Sequence, residues 1–273
     1  MKIAIIGSGI SGLTSAYLLQ QQHDVTVFES ANRIGGHTAT VEVEEGGRTR
    51  AIDTGFIVFN DWTYPNFIRL MDELGVPSRA TEMSFSVSCQ RTGLEYGGND
   101  LNTLFAQRRN IFNIPFLGML KDILRFNKEA IQDLESGQLK EGVTLGEYLK
   151  EKGYGARFAS HYLIPMGSAI WSSTLDEMMD FPLVFFVRFF KNHGLLSVND
   201  RPQWRVIEGG SSAYLQPLVA KFKDRIQLGA RITHVQRSDH DVVIQFEGGS
   251  QQTFDQVVFA CHSDEALRLL ADP

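Results

Sequence analysis

Three glycines, Gly7, Gly9 and Gly12, are spaced G-x-G-x-x-G near the start of the chain, and an acid, Glu29, follows them. This spacing suits a phosphate cradle. Gly7 permits a tight turn. Gly9 has no side chain, so a pyrophosphate can approach the backbone. Gly12 lets a helix pack closely on a strand. The helix start, at Ser11 and Gly12, would offer free N–H groups and a partial positive charge to the phosphates. A carboxylate at Glu29 can accept both ribose hydroxyls, and its charge would repel a 2′-phosphate, which disfavours NADP.

Just beyond lie Arg33, Gly35, Gly36 and His37. A second bare glycine pair so close to the first motif suggests another close backbone approach, further along the same ligand. The plainer account is an ordinary turn. Arg33 could add a charge-assisted contact to phosphate. His37 would lie near the ligand, foremost as a hydrogen-bond donor packed beside it, alternatively as a proton relay.

The elements around these residues are those that the chemistry needs. Lys2 to Ile6 reads as a buried strand, Ile10 to Gln22 as a helix with Ile10, Leu13, Tyr17 and Leu18 near one face, and Val25 to Phe28 as a second buried strand ending at Glu29. Strand, glycine turn, helix and strand in that order make a dinucleotide the expected ligand. Strand patterns return from about residue 203, in RIQLG, RITHVQR, DVVIQFEG and QVVFAC, with Gly248–Gly249 as a hairpin turn. The expected fold is therefore α/β, a Rossmann-like domain with a parallel sheet, discontinuous over 1–60 and 203–273. Residues 61–202 form an inserted, mostly helical α+β block, the expected substrate or cap domain. It includes YPNFIRLMDELG, a longer amphipathic helix in FLGMLKDILRFNKEAIQDLESG, and a capping box at Thr144 and Glu147.

Composition narrows the function. Hydrophobic residues make up 43% and charged residues 21%, an ordinary globular balance. The net charge is −6 and no basic stripe alternates with aromatics, so nucleic acid is not an expected partner. Two distant cysteines, Cys89 and Cys261, argue against a disulfide framework and suit a reducing cytosol, so a cytoplasmic location is expected. The apolar start breaks at Gly7, too early for a signal peptide, and no membrane span is expected. Histidine spacing predicts no metal, and neither a nucleophile elbow nor a P-loop occurs. The aromatic run DFPLVFFVRFFKNHGLL would place Phe185, Phe186, Phe189 and Phe190 on one helical arc. That arc would face a core; the alternatives are the wall of a tunnel for a lipid-like substrate and a membrane surface. Trp171, after a Pro–Met–Gly break, would pack in the core or line a pocket.

From Glu29 onward the sequence resembles the flavin-dependent amine oxidase superfamily, which includes monoamine and polyamine oxidases, protoporphyrinogen oxidase and phytoene desaturases. Glu29 with ANRIGGHT is similar to its E-x-x-x-R-x-G-G-[RH] element. AIDTGFIVFN, containing Gly55, resembles a D-x-G segment that passes near the flavin. WRVIEGGSSAYLQPL resembles a G-G-x-x-x-L entry into a helix. DRIQLGARITHVQ resembles the strand pair whose backbone, here at Ile232, meets the adenine. FDQVVFACHSDEALRLL resembles the strand that returns to the sheet. The family often has arginine where this chain has His37. The resemblance implies an FAD-dependent oxidoreductase that passes hydride from an amine or another activated C–H bond to the flavin. The substrate would be a small molecule, hydrophobic or lipid-like. The resemblance also implies a chain truncated at its C-terminus, with the lysine that many amine oxidases place near the flavin beyond residue 273, so no catalytic base is assigned. Read without the resemblance, the residues leave open an NAD-dependent dehydrogenase or a non-catalytic module that senses a dinucleotide.

Overall fold

A computed structural model of the chain describes residues 1–197 and 201–272. Residues 198–200, within the expected inserted block, and the final residue, 273, lie outside the described residues. The chain forms two compact units. Unit 1 comprises Met1–Phe59, Tyr64–Ala80 and Arg205–Pro273; unit 2 comprises Asn60–Thr63 and Thr81–Trp204.

Unit 1 is built on strand β1 (Lys2–Ile6), helix α1 (Ile10–Leu19) and strand β2 (Asp24–Phe28). β1 and β2 pair in parallel, with Ile6 opposite Phe28. Strand Gln256–Phe259 pairs in parallel with the other edge of β1, and Ile226–Gln227 with the far edge of β2. The four form one parallel sheet. Side chains alternate across a strand, so β1 feeds two cores. Ile3 and Ile5 pack with Leu13, Ala16, Tyr17 and Leu218 on one face. Ala4 and Ile6 meet Phe28, Val235, Ile244 and Phe254 on the other. That second face is covered by an antiparallel three-stranded sheet of Ile232–Arg237, Val242–Phe246 and Gln251–Phe254. Gly248 and Gly249 turn its second hairpin.

Two expectations differ from the structure here. The buried face of α1 is Gly12, Leu13, Ala16 and Tyr17; Ile10 and Leu18 are exposed, and the helix ends at Leu19. The reason is angular: residues 12, 13, 16 and 17 share an arc that 10 and 18 fall outside. Residues 64–80, expected in the inserted block, belong to unit 1. Their helix, Pro65–Leu74, stops at a left-handed Gly75 as the sequence suggests, but Leu70 and Met71 bury themselves in the core beside Ile5 and Leu13.

Unit 2 is mostly helical around the long helix Ile114–Glu135, with a β-hairpin of Ser86–Cys89 and Leu94–Gly97. Thr144 and Glu147 form the expected capping box of the helix Leu145–Glu151. The aromatic run forms the helix Leu183–Asn192, whose Leu183, Phe186, Val187 and Phe190 enter the core. Phe186 and Phe190 stack at 4.0 Å. Trp171 lies 4.6 Å from Phe181 and 4.9 Å from Phe189, ring centre to ring centre. Phe185 departs from the expected arc and is exposed. Among the described residues no helix is long and apolar enough to cross a membrane.

Candidate functional site

The first glycine motif sits between the C-terminal end of β1 and the N-terminus of α1. Gly7 has φ +104°, a conformation that side chains rarely adopt, and its N–H donates to the Phe28 carbonyl at 2.8 Å. A Cβ at Gly12 would overlap the Gly7 carbonyl oxygen, so this glycine is required by the fold itself. A Cβ at Gly9 would meet nothing within 4 Å. Gly9 therefore faces open space at the head of α1, with exposed Ser11 beside it. The N–H groups of a helix's first turn have no partner inside the helix, and they attract anions.

Glu29 follows β2 and turns back toward this motif. Its Oε2 accepts from the Ser8 N–H at 3.0 Å and from the Ser8 hydroxyl at 2.5 Å; its Oε1 accepts from the Ala31 N–H at 2.8 Å. Burial pushes the Glu29 carboxyl up, but the hydrogen bonds from Ser8, Ala31 and Ser30 outweigh it and hold the group below its ordinary value. It is a carboxylate at neutral pH. Each carboxylate oxygen accepts about two hydrogen bonds. Ser8 fills Oε2, while Oε1 has only Ala31 and a long 3.4 Å contact from Ser30. Oε1 is the atom with room for a ligand hydroxyl.

A cleft of ≈ 290 Å³ opens at this point, lined among others by Gly7, Glu29, Ser30, Ala230, Ile232 and Cys261. Gly7, Glu29 and Ile232 thus share one cavity. A larger, more open hollow of ≈ 500 Å³ flanks the hairpin from Gln227 to Gln252. It contains none of the phosphate-cradle residues, so the chemistry points to the smaller cleft.

The second glycine pair is docked on the first motif. The Gly35 N–H donates to the Ser8 carbonyl at 2.9 Å, and a Cβ at Gly36 would lie 3.1 Å from the Gly9 Cα. Where the sequence gives Arg33 a phosphate contact, the structure gives its guanidinium backbone carbonyls: Thr38 at 3.1 Å and Gly36 at 2.9 Å. Arg33 braces the turn. His37 is exposed, its ring 5.9 Å from that of His262. Gly55 lies against the His37 carbonyl oxygen, which accepts from the Phe56 N–H at 3.0 Å.

Several residues to which the sequence assigns no individual role hold this turn in place. Asp53 Oδ1 accepts from the Thr40 hydroxyl at 2.6 Å, the Ser211 N–H at 2.8 Å and the Ser211 hydroxyl at 2.9 Å. The Thr38 and Tyr214 hydroxyls are hydrogen-bonded at 2.5 Å in a buried position. Burial pushes the Tyr214 phenol up, with the Thr38 bond opposing, so it remains neutral. Among the described residues no group of three or more His, Cys, Asp or Glu side chains could hold a metal ion.

These residues fit the ADP half of a dinucleotide: an open glycine, free helix N–H groups, an ionised carboxylate with one oxygen partly vacant, and an adjoining cleft. Residues 10–273 match the family described as flavin containing amine oxidoreductase. The chain is 25% identical to 15-cis-phytoene desaturase of Arabidopsis thaliana, covering 100% of this chain and 50% of that protein. It is also 25% identical to flavin-containing amine oxidase A of Canis lupus familiaris, covering 89% and 46%. The chain thus spans about half the length of these curated relatives. A putrescine oxidase solved with putrescine has the same fold, with a TM-score of 0.72 at 20% identity, covering 100% of this chain and 61% of that one. Cyclohexylamine oxidase from Brevibacterium oxydans gives 0.68 at 19%, covering 98% and 59%.

Proposed function

Because this chain belongs to the flavin-containing amine oxidoreductase family, we propose that it binds FAD in the cleft of unit 1 and serves the oxidation of a small molecule. The observation that carries the reading is that Gly7, Glu29 and Ile232 line one cleft, while Gly9, two residues along the same turn, has open space where a side chain would stand. FAD, when bound, supplies a hydride acceptor at its flavin ring. The chain's own residues bind and orient. The N–H groups at the head of α1 hold the pyrophosphate, with Gly9 allowing its approach. Glu29 Oε1 accepts a ribose hydroxyl. The backbone at Ile232 lies along the adenine. Gly35, Gly36, His37 and Gly55 continue the path toward the ring, and Arg33 keeps that turn in shape.

The substrate in this reading carries an amine or another activated C–H bond and is hydrophobic or lipid-like. Its support is the family, together with relatives whose names include an amine oxidase and a phytoene desaturase and a neighbour that binds putrescine. No catalytic residue is assigned. The test is the visible spectrum of protein incubated with FAD and freed of excess by gel filtration. Retained flavin absorbance, bleached anaerobically by an amine or desaturable lipid, is expected. Protein that retains NAD in preference to FAD, or no dinucleotide, contradicts the proposal.

A further inference from the structure

The long helix Ile114–Glu135 of unit 2 is apolar on two faces. Its inner seam, Phe116, Met119, Ile123, Phe126 and Ala130, packs into the unit's core. An outer seam lies two residues round, roughly 200° at 3.6 residues per turn. It consists of Ile114, Leu117, Lys121, Leu124 and Lys128, all exposed. Ile111 and Phe112 lie in the 3-10 turn Arg108–Phe112 that leads into the apolar end of this seam. Phe112 is 87% exposed and Ile114 81%. Single exposed apolar residues are ordinary, but a sustained seam headed by a bare phenylalanine marks a contact surface.

Charge identifies the partner. The charged residues of the outer seam, Lys121 and Lys128, are both basic in a chain whose net charge is −6, while Arg125 beside them is paired with Glu129 at 3.8 Å. Asp122 is engaged, accepting from the Gly155 N–H at 2.8 Å and lying 3.7 Å from Arg125. We propose that this face of unit 2 docks on an anionic lipid bilayer. Phe112, Ile114 and Leu117 enter the headgroup–acyl boundary, and Lys121 and Lys128 meet the lipid charge. Apolar side chains beside lysines are the pattern of a surface-lying helix, and each cation near an anionic leaflet adds attraction. The same pattern weighs against a second copy as the occupant. Pairing two such seams would bring Lys121 and Lys128 against like charges. The inference does not rest on the proposed cofactor.

Vesicle co-sedimentation of the whole chain tests it. Vesicles of phosphatidylcholine with phosphatidylglycerol should bind it at least about tenfold better than phosphatidylcholine alone, and high salt should weaken the binding. Phe112→Glu with Ile114→Glu, whose fold is checked by circular dichroism, should lose at least about tenfold. Lys121→Glu with Lys128→Glu, which leaves the core and the apolar end intact, should lose as much. Failure to bind anionic vesicles, equal binding to both kinds, or binding unchanged in both variants overturns the proposal. A dimer in sedimentation that the Phe112 and Ile114 changes convert to monomer, without vesicle binding, overturns it in favour of a second copy.

Discussion

Gly9 and Gly12 stand on the same turn of backbone and are glycine for different reasons. A Cβ at Gly12 overlaps the Gly7 carbonyl, whereas one at Gly9 meets nothing within 4 Å. Gly12→Ala should therefore cost about 1–3 kcal/mol or more of folding stability, the range for overpacking. Gly9→Ala should cost less than about 1 kcal/mol, as a weakened helix cap. Denaturant titration of the two variants separates them. Glu29→Ala removes the proposed ribose acceptor and should weaken dinucleotide binding by about 1.5–3 kcal/mol, the range for hydrogen bonds to a charged group. Its pH dependence has a definite sign. The folded carboxyl titrates below its ordinary value, so its contribution is fully present above the ordinary glutamate range and is lost only as pH falls through and below it. Binding should be flat across neutral pH and decline in acid. A decline that begins near neutrality would mean that another group is the acceptor. The glycines and Glu29 were legible because their spacing is itself the chemistry. Ser8 was not. It occupies a free position of the motif, and only the pairing of Ile6 with Phe28 makes its hydroxyl a neighbour of Glu29.

At the scale of elements, the second glycine turn is held by residues far away in sequence. Asp53 ends the strand Arg48–Asp53 and accepts from Ser211, 158 residues on. This carboxylate satisfies N–H and hydroxyl donors at the start of the segment Ser211–Tyr214, where the helical dipole also favours negative charge. Asp53→Ala leaves those donors without a partner and should cost about 1–3 kcal/mol, read in thermal or denaturant unfolding. Asp53→Asn, which keeps one acceptor, should recover part of that loss. No recovery would mean that the charge, not the acceptor, is what the segment needs. Local pattern predicted the hairpin at Gly248–Gly249, the stop at Gly75 and the capping box at Thr144, because each is decided within a few residues. On α1 it placed Leu13 and Tyr17 on the buried face, as they are, but wrongly added Ile10 and Leu18, since apolar type does not say how far round the helix the buried arc extends. It marks Asp53 only as the acid of a D-x-G segment, because the partners that give Asp53 its role depend on the folded chain.

At the scale of the whole molecule, the sequence leads one to expect strands returning after residue 203 with a helical block between; in the structure Thr81–Trp204 lie in one compact unit and the chain from Arg205 in the other. The sequence does not show that residues 64–80 belong to the first unit, because amphipathicity says that a helix has a core to face, not which core. The central claim is that the Gly7–Gly12 turn holds the pyrophosphate of FAD. Calorimetric titration with FAD of the unaltered protein and of Gly9→Val tests it most directly. A branched side chain at Gly9 fills the space that the fold leaves open and the phosphates need. The account predicts one FAD site in the unaltered protein. In Gly9→Val it should weaken at least about a hundredfold, about 2.7 kcal/mol, with the circular dichroism unchanged. FAD binding of equal strength in both proteins, or none in the unaltered protein, would contradict it.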